Sequence, residues 1–372
     1  MSVSCRVLVL VLFSFSACVH SADDKLVLVK NNEVINGRVK KADLTEVEIE
    51  IKDPRTMQVN QRKLKTEEVA EIEFDLPERE WREGIAAFTA GKYASAAQKF
   101  GAMTADSDDF AKIRNEVKPS LYYYLGESLY RAGKTAEAVE ILNKMMAEYK
   151  TSWHVPMVMG TLVDAAIQAN EFNKVPTLLG QLRTLGGEPK ALADYYEGQM
   201  LLAQKKTKEA DAKFTAAVSS NSATTRGLAL MGQATCAIAE NNLPKARELA
   251  TKALANSPTH SVAGAAHLII GEALMAEIDR DKPTGEALEK KLMDALLEYM
   301  RVAEQYNGDP RTEPQAIFRA GEVLFRLSKT TRSADKADRN RGQTMLTRLT
   351  ADPRYRNSPW AQQAADLMKK GQ

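Results

Sequence analysis

The chain has 372 residues, of which 44% are hydrophobic, and it carries 51 Lys and Arg against 49 Asp and Glu. This length exceeds that of one ordinary domain and favours two domains or an array of repeats. The formal net charge of +2 gives no support for a nucleic-acid-binding protein, and we expect no nucleic-acid partner.

The first 21 residues have the pattern of a secretory signal peptide. Arg6 precedes an apolar stretch over residues 7–19, and Val19 and Ser21 supply the small residues that a cleavage site requires. The stretch is too short to span a membrane comfortably. The sequence therefore predicts that residues 1–21 are removed and that the protein is exported, to the bacterial periplasm, the cell envelope or the medium.

A second interpretation of the same segment concerns Cys18. The run Phe15-Ser16-Ala17-Cys18 resembles a bacterial lipobox, with Phe15 where that family prefers Leu. The resemblance implies a lipid at Cys18 and membrane association through it. Removal of residues 1–21 would leave Cys236 as the one remaining cysteine, so we expect the fold to depend on packing instead of disulfides.

Residues 22–75 predict a small β domain. Residues 46–51 alternate strictly, which places Val47, Ile49 and Ile51 on one face of a strand and three glutamates on the other. About five short strands favour a closed SH3-like barrel, because closure removes exposed strand edges. The start of the segment resembles Sm-like folds, which bind RNA. Because aromatic stacking residues are missing, we expect a docking module instead.

Beyond Pro77 the strand pattern changes to Ala-rich segments with the period of a helix. Turns are followed five residues later by a small residue and, four residues after that, by a larger apolar one. The small residues recur at intervals of 42, 37, 35, 36 and 49 residues and are Ala96, Ala138, Val175, Ala210, Ala246 and Ala295. The central intervals lie near a period of ~34 residues, which is typical of helix–turn–helix repeats.

One unit contains Tyr122, Leu125-Gly126, Leu129, Gly133, Ala138 and Leu142. These stand where the tetratricopeptide repeat family has an aromatic residue, a Leu-Gly pair, a Tyr, a Gly, an Ala and an aromatic or apolar residue. The resemblance extends over residues 76–350. It implies a mainly α fold, an α-solenoid of six or seven helix pairs in a right-handed superhelix, with residues 351–372 as a capping helix.

In that family the first helix of each pair lines the concave groove. The resemblance therefore implies that Tyr123, Glu127 and Arg131 face the groove from one repeat, and Tyr195 and Gln199 from another. The implied function is a scaffold that binds a protein or peptide partner in the cell envelope.

Catalytic patterns are missing from the sequence. His154, His260 and His267 are the only histidines beyond residue 21, and none belongs to a His-Glu-x-x-His motif. The sequence also lacks a phosphate-binding glycine loop and a nucleophile elbow. We expect no enzyme activity, no cofactor and no metal site.

Two charged stretches leave an alternative open. Residues 326–356 contain nine Lys or Arg and three Asp, and residues 66–80 contain seven acidic residues and one Arg. The basic stretch could bind peptidoglycan, a glycan or an anionic lipid, or the acidic stretch of a neighbouring molecule. An envelope ligand-binding module is therefore the alternative to the scaffold.

Overall fold

The structure is a computed structural model that describes residues 23–31, 33–104, 110–256, 259–330, 337–356 and 358–370. The predicted signal peptide and the predicted lipidation site at Cys18 lie outside the described residues.

The N-terminal domain is a five-stranded antiparallel sheet. Its strands are β1 (Asp24–Leu28), β2 (Val34–Ala42), β3 (Glu46–Lys52), β4 (Val59–Lys65) and β5 (Val69–Glu73). They pair in the order β4-β3-β2-β1-β5, and a single 3-10 turn at Thr66–Glu68 joins β4 to β5. The five strands confirm the prediction of a small β domain. Because β4 and β5 are the two ends of this order, barrel closure stays a prediction.

The alternation predicted for β3 is present. Val47 and Ile49 are fully buried. On the opposite face Lys63 of β4 lies 3.4 Å from Glu46 and 3.5 Å from Glu48, measured from its Nζ to the carboxylate oxygens. The period of two in the sequence thus separates the core face from a charged outer face.

The rest of the described chain forms fifteen α-helices. They are α1 (Arg79–Thr89), α2 (Tyr93–Gly101), α3 (Lys118–Arg131), α4 (Thr135–Glu148), α5 (Val155–Gln168), α6 (Val175–Thr184), α7 (Gly187–Ala203), α8 (Thr207–Ala217), α9 (Ala223–Ala239), α10 (Leu243–Asn256), α11 (His260–Asp281), α12 (Gly285–Glu304), α13 (Glu313–Leu327), α14 (Ala337–Ala351) and α15 (Pro359–Lys370). Consecutive helices pair, which gives seven pairs followed by α15. The predicted α-solenoid of tetratricopeptide-like helix pairs is confirmed.

The packing inside a pair explains the repeat pattern. Ala138 and Leu142 on α4 are both 1% exposed, and a Cβ at Gly126 on α3 would lie 2.4 Å from Leu142 Cδ2. Similarly, a Cβ at Gly271 on α11 would lie 2.6 Å from Tyr299 Cε1 on α12. A glycine on the first helix therefore makes room for the large residue on the second, and this fixes how the two helices approach.

The interval of 49 residues comes from longer helices. The helices α11 and α12, which form one pair, have 22 and 20 residues. The charged segment 279–285 between them forms the end of α11, a short turn and the start of α12 instead of a long loop. By length and composition α11 could cross a membrane, with a mean hydropathy of 1.4, but 61% of its apolar window is buried inside the solenoid. It packs between α9, α10 and α12 as a core helix.

An ion pair and hydrogen bonds connect the sheet to the solenoid. A guanidinium nitrogen (Nη2) of Arg114 lies 2.6 Å from Asp24 Oδ1, and the backbone amide of Leu44 donates to the Thr151 carbonyl at 2.8 Å. The Trp81 indole N–H of α1 donates to the Phe74 carbonyl at 2.9 Å. The two domains share one hydrophobic cluster, so the sheet and the first repeats form a continuous core.

Candidate functional site in the concave interior

The first helices of the pairs form the inner layer of the solenoid. α3, α5, α7, α9 and α11 contact one another in a row. Each second helix packs on its own first helix and on the first helix that follows, which places it outside that row. The inner row positions its side chains towards a shared interior, as the family resemblance implies.

The solenoid curls until its late repeats meet its early ones. A Cβ at Gly308, before α13, would lie 2.7 Å from Tyr93 Cε2 on α2. A Cβ at Gly133, between α3 and α4, would lie 2.8 Å from the Cα of Arg354, before α15. Two turns late in the chain thus lie against the start of α2 and against the turn between α3 and α4, and we call this line of contact the seam.

Charged side chains join the two sides at the seam. Arg311 Nη2 lies 2.8 Å from Asp309 Oδ2, and Arg311 Nη1 lies 3.4 Å from Asp164 Oδ2 on α5. Burial raises the pKa of Asp164 to about 6, while Arg311 opposes the shift. Burial alone would also raise the pKa of Asp309, but Arg311 outweighs it and holds that pKa at about 2. The Arg311 guanidinium is therefore shared by two carboxylates, and it stabilises the charged form of Asp309 more than that of Asp164.

Beside this triad lies a cavity of about 330 Å³, which we call the inner cavity. Its apolar wall comes from three helices of the inner row, α5, α9 and α11, and includes Ile167, Leu228, Met231, Leu268 and Ile269. Its polar groups are Asp164, Gln168, Tyr195, Gln199, Thr235, Ser261, Glu272, Asp309, Arg311, Thr312 and Gln315. Such a mixture of apolar surface and a few polar groups is typical of binding sites in proteins.

Two of the five predicted groove residues border the inner cavity. Tyr195 is 3% exposed, and its hydroxyl accepts a hydrogen bond of 3.1 Å from Gln199 Nε2. Burial raises the pKa of Tyr195 to about 12, so it stays a neutral hydroxyl. Gln199 is therefore the more accessible polar group of the pair.

The other three predicted residues lie on α3, two repeat pairs earlier. Arg131 Nε donates to Glu127 Oε1 at 2.7 Å, and Glu127 Oε2 accepts from Thr161 Oγ1 at 2.8 Å. The Tyr123 ring stacks on the buried His154, with ring centroids 4.4 Å apart. Arg131 borders a second cavity described next, whereas Tyr123 and Glu127 border neither cavity.

The second cavity, of about 920 Å³, lies where the sheet meets the repeats, and we call it the junction cleft. It is lined by Asp23, Lys25, Glu71, Glu73, Phe74, Asp75, Trp81, Arg82, Ile85, Ala86, Phe88, Thr89, Ala90, Gly91, Tyr93, Tyr124, Arg131, His260, Ser261, Gln305 and Asn307. The His260 ring is held there by the Asn307 carbonyl, 3.0 Å from Nε2. The cleft therefore combines side chains from the sheet, the first two repeats and the late repeats.

The residues of the seam were not predicted from the sequence, although a signal was present. The run Asp-Pro-Arg occurs at 53–55, in the turn between β3 and β4, and again at 309–311 and 352–354. In the last two copies the Arg backbone amide and its guanidinium donate to the Asp two residues earlier, with amide distances of 2.9 Å. Each of these two copies forms the turn before a first helix. An Asp-Pro-Arg turn that precedes a helix therefore marks the late side of the seam.

Among the described residues of the basic stretch 326–356, four arginines are paired within the chain, namely Arg326, Arg341, Arg348 and Arg354. Arg326 Nη2 lies 2.9 Å from Asp279 Oδ1, and Arg348 Nη1 lies 2.7 Å from Glu304 Oε1. Arg354 lies 3.4 Å from the fully buried Glu313 carboxylate. These pairs reduce the positive charge that an anionic envelope ligand could use, so they do not favour the alternative function.

Within the described residues no three His, Cys, Asp or Glu side chains are grouped as metal ligands would be. The Cys236 thiol is free and 1% exposed, and burial raises its pKa to about 12. It is therefore a core side chain with little thiolate character.

Comparison with known protein families locates repeats in two parts of the chain. A tetratricopeptide repeat model matches residues 82–152, which contain α2 to α4 and most of α1, and residues 197–261, which run from α7 to the start of α11. No curated protein matches the chain. The tetratricopeptide repeat model thus matches the chain on both sides of α5 and α6.

Three solved structures that are similar to this chain illustrate the comparison. The Pseudomonas aeruginosa pilF structure is 18% identical over 67% of this chain and 97% of that chain, with a TM-score of 0.38. The human IFIT1 dimer with PPP-AAAA is 15% identical over 78% of this chain and 69% of that chain, with a TM-score of 0.45. The TPR2AB domain of yeast Sti1 in a pHSP90 complex is 15% identical over 65% of this chain and 97% of that chain, with a TM-score of 0.26. At these values no function carries over.

Proposed function

We propose that the protein is an exported, non-catalytic scaffold of the bacterial cell envelope, and that it holds a segment of a protein partner in the interior of its repeat solenoid. The fold supports a general role in protein–protein interaction, because stacked helix pairs create an extended inner surface. The location, the partner and the residues that bind it are the parts that we propose.

The inner cavity is the observation that carries this proposal. Four first helices and the start of α13 converge on it, and it combines aliphatic walls with amide and hydroxyl groups. Thr312 borders it, is 7% exposed, and its buried hydroxyl has no hydrogen-bond partner among the described residues. A buried hydroxyl without a partner is costly, so a bound segment that supplies a hydrogen bond would be stabilised there.

The seam limits how a partner can enter. Because late turns lie against early turns, an extended chain cannot lie across the solenoid without separating Arg311 from Asp164. We therefore propose that the partner inserts a short terminal or looped segment, in which an aliphatic side chain enters the inner cavity and polar backbone groups meet Gln199 and Thr312.

The binding site can be tested by filling the cavity. Thr235 is exposed and borders the cavity, so Thr235→Trp should occupy it without disturbing the core. Thr251→Trp on the outer helix α10 is the matched control, because it introduces the same bulk at an exposed threonine. Capture of the partner from envelope extract should be lost with Thr235→Trp and kept with Thr251→Trp. Equal capture by both variants would exclude the inner cavity.

The location needs a separate experiment. Fractionation followed by mass spectrometry of the N-terminus should yield a mature chain that starts at Ala22, or a lipidated chain that starts at Cys18. The second result would establish membrane anchoring. A full-length chain recovered from the cytoplasm would contradict export in either form.

A further inference from the structure

The junction cleft has an aromatic wall. Phe88 of α1 packs edge-on against Tyr93, with ring centroids 5.5 Å apart, and against Tyr124, at 5.2 Å. Trp81 lies 6.0 Å from the Tyr124 ring, also edge-on. Phe88 and Tyr124 are partly exposed in this wall, and the face of an aromatic ring carries the negative part of its quadrupole. A cation is therefore favoured beside this wall.

One cation of the chain already uses these rings. The Arg131 guanidinium carbon lies 5.6 Å from the Phe88 centroid and 5.3 Å from the Tyr93 centroid, and Nη1 donates to the Tyr93 hydroxyl at 3.1 Å. Its charge is balanced by Glu127, outside the cleft lining. The aromatic wall is thus compatible with a guanidinium, and Arg131 contributes no uncompensated charge to repel a second one.

The opposite side of the cleft is acidic. Asp23, Glu71, Glu73 and Asp75 line it, and of these Glu73 is paired with Lys25, whose Nζ lies 3.1 Å from Glu73 Oε2. Among the described residues the carboxylates of Glu71 and Asp75 have no cationic partner. Burial, and after it the charge of Glu73, raises the pKa of Glu71. This part of the cleft therefore carries net negative charge, with four carboxylates and one ammonium group.

We propose that the junction cleft binds an arginine- or lysine-bearing segment of a protein partner, with the cationic group between the aromatic wall and the carboxylates of Glu71 and Asp75. This rests on the proposed function, since it assigns a chemical class to part of the partner. The occupant follows from charge complementarity: four carboxylates of the lining face three fixed cations, two of which are already in ion pairs. An acidic segment would meet like charge at the same place.

The proposal is tested with peptides and with a charge-matched pair of double variants. The probes are a fluorescein-labelled peptide that alternates arginine with leucine, and peptides with citrulline or glutamate in place of arginine. The cleft variant is Glu71→Gln with Asp75→Asn. The control is Glu248→Gln with Asp294→Asn, which changes the net charge equally at exposed sites on α10 and α12. Fluorescence anisotropy of the mature chain gives each affinity.

The arginine peptide should bind at least tenfold more tightly than the citrulline and glutamate peptides. The cleft variant should lose about tenfold in affinity for it, with a weaker dependence on salt, and the control should keep the wild-type value. Phe88→Leu, which keeps apolar volume but removes the ring face, should cost several-fold.

Three results would overturn this inference. One is glutamate-peptide binding as tight as that of the arginine peptide, and another is arginine-peptide binding that the cleft variant leaves unchanged. The third is a wild-type chain that self-associates through Glu71 and Asp75, which would make the basic stretch of a second copy the occupant. If no peptide binds but Thr235→Trp still abolishes partner capture, the scaffold function stands and only the basic segment is excluded.

Discussion

The guanidinium of Arg311 lies 3.4 Å from the carboxylate of Asp164, although 147 positions separate the two residues in the chain. The contact joins the turn before the seventh helix pair to the first helix of the third. It sits at the edge of the inner cavity, so the same residues close the solenoid and border its interior. The stability of the seam and the shape of the binding surface are therefore linked.

Removal of this guanidinium should destabilise the fold strongly. Arg311→Ala leaves Asp164 and Asp309, whose side chains are 13% and 9% exposed, without their shared partner. Breaking such a buried pair costs roughly 3 kcal/mol. Arg341→Ala, with a side chain 73% exposed, should cost below about 1 kcal/mol. Urea unfolding followed by circular dichroism compares them, and equal losses would show that the seam contributes nothing to stability.

The pKa of Asp164 predicts an unusual pH dependence. Burial raises this pKa from 3.8 to about 6, so between these values the folded state binds more protons than the unfolded state. Its contribution to stability is complete below pH 3.8 and is lost as the pH rises through 6. As the pH rises from 4 to 6, the thermal midpoint of Asp164→Asn should thus increase relative to that of the wild type. A constant difference between the two over this range would contradict the assigned pKa.

Titration of His154 should change the stability of the fold with pH in the opposite direction to titration of Asp164. Burial lowers its pKa from 6.5 to about 3, so its contribution to stability is complete above pH 6.5 and is lost as the pH falls towards 3. His154→Phe keeps the stack on Tyr123 and should reduce the acid sensitivity of the thermal midpoint. Ser120→Ala removes the partner 2.8 Å from Nε2 but keeps the titrating ring, so it should retain that sensitivity. Identical acid profiles for both variants would be inconsistent with this role.

Gly133 tests the second contact of the seam. It has φ +79°, and a Cβ there would lie 2.8 Å from the Cα and the carbonyl oxygen of Arg354. Gly285 has φ +57° but has nothing within 4 Å of the added atom. Gly285→Ala should cost about 1 kcal/mol through backbone strain alone. Gly133→Ala should cost more and should speed hydrogen exchange in α15. If exchange there is unchanged, the contact does not hold the C-terminal repeats in place.

The repeats could be predicted because their signal is local. Ala138 and Leu142 share a helix face one turn apart, so their spacing is visible without any knowledge of the tertiary fold. The last pair was less visible because Gly342 takes the place of the usual Ala, although Leu346 four residues later is fully buried. The last pair therefore keeps a small residue followed four positions later by a large apolar one, but the small residue is Gly instead of Ala.

The seam could not be predicted in the same way. Each repeat adds a small rotation to the solenoid, and only the sum over several repeats decides which turns meet. No spacing in the sequence relates Arg311 to Asp164, and the basic stretch likewise does not indicate which of its arginines are paired. The Asp-Pro-Arg run does not identify the seam either, because it also occurs at 53–55 between β3 and β4.

Site-specific photo-crosslinking tests the interior as the working surface most directly. A photoreactive amino acid at Gln199, which borders the inner cavity, should crosslink to the partner in envelope extract. The same amino acid at Lys208, exposed on the outer helix α8, should not. Partner crosslinks from Lys208 with none from Gln199 would show that the protein binds through its outer face and would contradict an interior binding site.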